Sequence, residues 1–306
     1  MQPEVEDSRV RLSVIADYGN LCGECPVWHP DEQTLYWTDA GSGRLYRYKW
    51  PDGGRELILQ NFDVNGFALD ESGGLVLVNN EGVWFWNQAD PPSLVAREIN
   101  GRKLRLNDCV AGPDGTLLAG SCFYDSSFDY ELGCLFSIRP DGTGEVLDSG
   151  FHLANGLGFS PDLQTLYLND SVARRVYRYH YEPEHARVAQ RRLFAELNKS
   201  AGLPDGLTVD ADGFVWWAEW YGSRLTRFDP TGIRERRIAI PAKQTSSLAF
   251  GGADFKDVFV TSAAKSEPMP VMPPGYDSES GYFGGKLFCF NVGIAGKPEY
   301  KTRFKR

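Results

Sequence analysis

Leu203-Pro204-Asp205-Gly206-Leu207-Thr208-Val209, then the turn Asp212-Gly213, then Val215-Trp216-Trp217-Ala218-Glu219, is the stretch from which the fold can be read. Its first apolar run is too short for a helix and is bounded on both sides, so it reads as a strand. Asp-Gly supplies the turn. The second run is aromatic and β-branched, which suits a pleated, half-buried surface. The same arrangement occurs in Ala154-Asn155-Gly156-Leu157-Gly158-Phe159, followed by Pro161-Asp162 and Leu166 to Asp170. Aligning further runs on the turns Pro30-Asp31, Ser72-Gly73, Pro113-Asp114-Gly115 and Asp254 adds second strands at Leu35 to Asp39, Leu75 to Asn79, Leu117 to Ser121 and Val258 to Ser262. Six repeats result.

A third strand alternates in each repeat: Arg44 to Tyr48, Gly82 to Trp86, Cys134 to Ile138, Arg175 to Tyr179, Arg224 to Phe228 and Lys286 to Phe290. Period-2 alternation marks a strand with one wet face. Fourth strands are expected at Arg55 to Leu59, Leu94 to Ile99, Leu193 to Glu196 and Arg237 to Ile240. Four antiparallel strands per unit and a period near 40 residues predict an all-β chain, a six-bladed β-propeller. The last unit lacks a clear fourth strand, whereas Arg9 to Ala16 is a strand without a repeat. The N-terminal strand is therefore expected to complete the sixth blade, with Tyr300 to Phe304 as the other candidate.

Glu24, Asn65, Asn107, Asn155, Asp205 and Ser246 occupy the same place in the six repeats, at spacings of 41, 42, 48, 50 and 41 residues. In a propeller the start of each inner strand faces the mouth of the central channel, so these side chains are expected to converge as a ring of oxygen donors. Two close carboxylates repel, and a divalent cation relieves the repulsion. The donors are hard, which suits Ca2+, Mg2+ or Mn2+ and leaves Zn2+ and Fe2+ open. The opposing reading is that Asn and Asp stand there because they suit strand entries. It accounts for one Asn more readily than for a phased set containing Glu24.

The chain of 306 residues carries repeats from end to end without a linker, so a single domain over 1–306 is expected. Hydrophobic residues make up 42% and charged residues 24%, ordinary for a folded chain. The net charge is −9 and the basic residues are scattered, which excludes nucleic acid as the expected partner. Met1 to Asp17 contains Glu4, Glu6 and Asp7 and no apolar run of signal-peptide length, and nothing is long and apolar enough to span a bilayer, so a cytoplasmic monomer is expected, with a dimer as the alternative. Six cysteines are read as reduced. Cys22 and Cys25 form a CxxC around Glu24, but no second CxxC or His pair completes a zinc site. The four histidines show no ligand spacing, and no GxSxG elbow is present.

Gly23-Glu24-Cys25-Pro26-Val27-Trp28 with Leu35 to Asp39, Arg105-Leu106-Asn107-Asp108, Ala154-Asn155-Gly156-Leu157, Gly202-Leu203-Pro204-Asp205-Gly206 and Thr245-Ser246-Ser247-Leu248-Ala249-Phe250, in order and in phase, resemble the SMP-30/gluconolactonase family, also called regucalcin-like. The resemblance covers almost the whole chain. It implies a six-bladed propeller with one catalytic divalent cation held by Glu24, Asn155 and Asp205, and hydrolysis of a sugar-acid lactone with a small-molecule substrate as the partner. It implies that Asp205 is both a metal ligand and the proton-transfer group, that Arg105 contacts substrate hydroxyls, and that Asn107 lines the site.

Two departures bear on specificity. Cys109 stands where the family often has Gly, and the segment after Ser121, which often carries acidic substrate contacts, reads Cys122-Phe123-Tyr124-Asp125. Tyr124 and Asp125 are taken as substrate contacts, and Cys122 to Gly133 with Ala263 to Gly285 as the rim. Two other readings remain open at this stage: hydrolysis of another ester, an apolar lactone or an organophosphate, on the same site, and a non-enzymatic calcium-binding or interaction propeller.

Overall fold

The computed structural model describes residues 10–124, 127, 129–264 and 271–304. Among the described residues there is no helix, and every sheet is antiparallel. The first unit orders Gly23–His29, Thr34–Asp39, Arg44–Lys49 and Arg55–Gln60 in sequence. The second comprises Gly66–Leu69, Leu75–Asn79, Gly82–Trp86 and Ser93–Ala96, and the third Leu106–Ala111, Leu117–Ser121, Gly133–Ile138 and Gly144–Phe151. The fourth is Ala154–Phe159, Thr165–Asp170, Arg175–Glu182 and Arg187–Glu196, and the fifth Leu203–Val209, Val215–Trp220, Arg224–Phe228 and Arg234–Ala239. Gln244–Gly251, Asp257–Ala263 and Lys286–Asn291 make the sixth, and Ser13–Asp17 pairs with Lys286–Asn291 as its outermost strand.

Each unit is too thin to bury its own faces, so the core lies between units. Tyr36 and Leu45 of the first pack with Phe67, Leu75 and Leu77 of the second. Tyr167, Val176 and Phe194 of the fourth pack with Val209, Val215 and Trp217 of the fifth. Phe259, Leu287 and Cys289 of the sixth pack with Trp28, Leu35 and Trp37 of the first. Trp37, Trp216 and Trp217 are fully buried, and burying a side chain of this kind contributes about 1.5–3 kcal/mol or more. The first strand of each unit packs on that of the next, and Gln244–Gly251 packs on Gly23–His29.

Several strands differ from expectation. Leu94 to Ile99 divides at Arg97: Ser93–Ala96 stays in its sheet, and Glu98–Ile99 forms a separate hairpin with Arg102–Lys103. Gly144–Phe151 was not foreseen, because two register shifts against Gly133–Ile138 erase its alternation. The outer hairpin of the fourth unit is longer than expected; its residues Gln190 to Leu193 lie exposed on an edge, without an apolar pattern. Tyr300 to Phe304 does not close the sixth unit. It crosses to other units: Thr302 bridges Asp70, the Phe304 amide donates to Asp70 Oδ2 at 2.6 Å, and the Arg303 amide donates to the Gly115 carbonyl at 3.0 Å. Phe304 is buried among Val76, Leu106 and Leu117. The chain therefore ends as a strap across units two and three.

Candidate functional site

Five of the six first strands share a local irregularity; Gly66–Leu69 pairs without one. Register shifts interrupt the pairing at Glu24/Val27, Leu106/Asp108, Asn155/Leu157, Pro204/Leu207 and Thr245/Ser247, each at or beside the repeated polar position. A bulge adds a residue on one strand and re-aims the side chains beside it. Cys25 and Gly156, the residues after Glu24 and Asn155, have φ of 45° and 42°. At Gly156 a Cβ would meet the Asp205 carbonyl oxygen, the Asn169 amide and Leu207. Gly156→Ala is therefore expected to lower the melting temperature by about 4 °C or more, since both conformation and space oppose it; an unchanged melting curve would contradict this account of the bulge.

These strand entries enclose a cavity of about 380 Å3 lined by Glu24, Asn65, Asn107, Asp108, Asn155 and Asp205, with Cys22, Ser171, Leu153, Leu203 and Trp220 among the remaining walls. Glu24 Oε2 accepts from the Cys25 amide at 3.1 Å. Asn155 donates through Nδ2 to Asp205 Oδ1 and to Ser171 Oγ, the latter at 3.2 Å, while its Oδ1 accepts from the Gly156 amide at 2.9 Å. Ser171 in turn donates to the Pro204 carbonyl at 2.6 Å. Asn65 is turned to the neighbouring unit, donating to the Leu106 carbonyl at 2.8 Å.

The carboxyls are held above their ordinary pKa range. Burial is the main cause for Glu24, and the Asp205 and Asp108 carboxyls add to it. Burial and then Asp108 raise Asp205, against the hydrogen bond from Asn155. Burial pushes Asp108 up to about 6, although the amides of Cys109 and Gly156 oppose it. The Cys22 thiol is raised by burial, then by Glu24 and Asp205, and Cys25 by burial and Asp108. Neither is a ready thiolate. Among the described residues no cysteine is in a disulfide, and no three His, Cys, Asp or Glu side chains form a ready-made metal cage. The cavity's oxygen donors thus combine carboxyls with asparagine amides.

Of the residues expected from sequence, the cavity gathers Glu24, Asn65, Asn107, Asn155 and Asp205. Ser246 is not on its wall: fully buried, its hydroxyl donates to the Gly23 carbonyl at 2.5 Å and joins the sixth unit to the first. Arg105 is exposed, with its guanidinium 5.4 Å from the Phe123 ring centre. Tyr124 meets Tyr130 edge-on at 5.3 Å, and Tyr130 shares a 2.9 Å hydrogen bond with His152 Nδ1. Neither Arg105 nor Tyr124 lines the cavity. Asp125, like Phe128, lies outside the described residues. Sequence reasoning missed Asp108 and Ser171. Strict alternation places Asp108 opposite Asn107, and the only signal for it was its place beside a repeated position.

Residues 22–264 match the profile of the SMP-30/Gluconolactonase/LRE-like region. The chain belongs to this family. It is 33% identical to a pentonolactonase, XacC, of Haloferax volcanii over 94% of this chain and 97% of that protein. It is 30% identical to a 6-deoxy-6-sulfogluconolactonase of Pseudomonas putida, covering 84% and 88%, and 29% identical to regucalcin of Xenopus laevis, covering 84% and 88%. Among solved structures it resembles a calcium-binding protein, regucalcin, from Agrobacterium tumefaciens, with a TM-score of 0.82 at 22% identity over 97% of this chain and 98% of that one. A luciferin-regenerating enzyme gives a TM-score of 0.82 at 24% identity, covering 96% and 99%.

Proposed function

We propose that this chain is a divalent-cation-dependent lactonase that opens a sugar-acid lactone to the free acid, built as a closed six-bladed propeller and working as a monomer in the cytoplasm. The packing of the sixth unit on the first supports closure, the free thiols suit a reducing compartment, and the lactonases among its relatives support the reaction class. The observation that carries the reading is the convergence of Glu24, Asp108 and Asp205 with Asn107 and Asn155 on one cavity. Buried carboxyls that raise one another's pKa call for a cation, and the donor set is one that hard cations accept.

Glu24, Asn155 and Asp205 would hold the ion, Asn155 through its amide oxygen once the amide turns over from its present contact with Asp205. Bound there, a divalent ion would polarise a lactone carbonyl and, by its charge, keep the carboxyls ionised at neutral pH. Asp205 then accepts the proton of the attacking water and returns it to the ring oxygen as the C–O bond breaks. Glu24 balances charge, and Asn107, which lines the cavity, meets a substrate hydroxyl. Arg105 reaches the substrate from the rim.

The test is lactone hydrolysis by chelator-treated protein, followed with a pH indicator, with Ca2+, Mg2+, Mn2+, Zn2+ and Fe2+ restored one at a time against xylono-, arabinono-, galactono- and gluconolactone and dihydrocoumarin. Turnover of a sugar lactone restored by an ion is expected. Turnover of dihydrocoumarin alone would replace the substrate class, and no turnover with any ion would end the enzymatic reading.

A further inference from the structure

Trp220 is the large aromatic side chain on the cavity wall, and it stands beside Leu203 and Leu153. It ends the second strand of the fifth unit, paired through the backbone with Leu203 on one side and Gln244 of the sixth unit on the other. Its ring is backed by Tyr221, edge-on at 6.2 Å, and Tyr221 packs on Tyr276 at 4.7 Å. Gln244 Nε2 donates to the Tyr276 hydroxyl at 2.6 Å. The indole is thus fixed from behind.

We infer that Trp220 is a specificity-determining residue of this cavity, receiving the C–H face of an uncharged lactone ring; this rests on the lactonase reading above. A sugar lactone presents oxygens at its edge and C–H bonds on its faces. The oxygens match the Asn and carboxyl walls, and the C–H face matches an aromatic wall. With one divalent ion held there, Glu24, Asp108 and Asp205 would still leave the cavity with a net negative charge, which disfavours a carboxylate, sulfonate or phosphate on the substrate. The substrate class is therefore a neutral aldonolactone.

Steady-state hydrolysis of xylonolactone and of the anionic 6-phosphogluconolactone would be compared in wild type, Trp220→Leu and Trp220→Phe, each loaded with the ion that supports activity. Wild type is expected to prefer the neutral lactone. Trp220→Leu is expected to raise its KM about ten-fold with kcat within about two-fold, and Trp220→Phe to restore most of the loss. An unchanged KM in Trp220→Leu, or preference for the anionic lactone, would overturn the inference while leaving the lactonase reading in place. Absence of turnover of every lactone in wild type would remove that reading instead. Should Trp220→Leu fail to fold, titration with xylose decides: a change in tryptophan emission in wild type that is absent in Trp220→Phe supports the contact, and equal changes in both overturn it.

Discussion

Asp205→Asn is expected to lower ion-dependent lactone turnover by about 10^3-fold, the middle of the range for loss of a positioned general base. Asparagine keeps the shape and one oxygen donor, and it removes the group that can take a proton from water. Asn155 and the Gly206 amide hold the Asp205 carboxyl on the cavity wall. Melting by circular dichroism should change little, since the exchange replaces a buried carboxyl with a neutral amide of equal size. A variant with wild-type kcat would sink the mechanism, and a variant that melts far lower would assign Asp205 a structural role instead.

Removing divalent ions is expected to make stability fall as pH rises. Glu24, Asp108 and Asp205 have folded-state pKa values above their ordinary ones. Their protonated forms suit the fold, so the stability they contribute is complete at and below about pH 4, where the unfolded groups are also protonated. It is lost as pH rises through about 6 for Asp108, and as pH rises through the raised pKa values of Glu24 and Asp205. Asp108 alone accounts for on the order of 3 kcal/mol in full, of which about half remains at pH 5, where the unfolded carboxyl is already ionised; the melting point is therefore expected about 2 °C lower at pH 8 than at pH 5. Added Ca2+ should recover more at pH 8 than at pH 5. Melting curves with chelator and with Ca2+ at both pH values measure this. A chelated protein that melts higher at pH 8 would contradict the burial of uncompensated carboxyls.

The strands were legible where their residues face a core. Val215 to Glu219 and Leu166 to Asp170 alternate or run apolar because neighbouring units cover both faces. Gly144–Phe151 and the extension of Arg187–Glu196 were not legible, since outer strands are wet and bulged and carry little pattern. The N-terminal strand was legible as a strand left over by the repeat. The strap at Tyr300 to Phe304 was not, because its Asp70 and Gly115 partners are distant in sequence.

The site divides in the same way. Glu24, Asn65, Asn107, Asn155 and Asp205 could be found by phase, because equal positions in equal units open on one cavity. Sequence by itself determined the six units, the first three strands of each and the convergence of these five. Tertiary structure alone decided that Asp108 joins them, that Ser246 turns away to bind the Gly23 carbonyl, and that Trp220 forms a wall while Arg105 stays off it. The physical reason is the bulge: one residue added to a strand reverses which side chains face the cavity, and its place is set by the packing of one unit on the next.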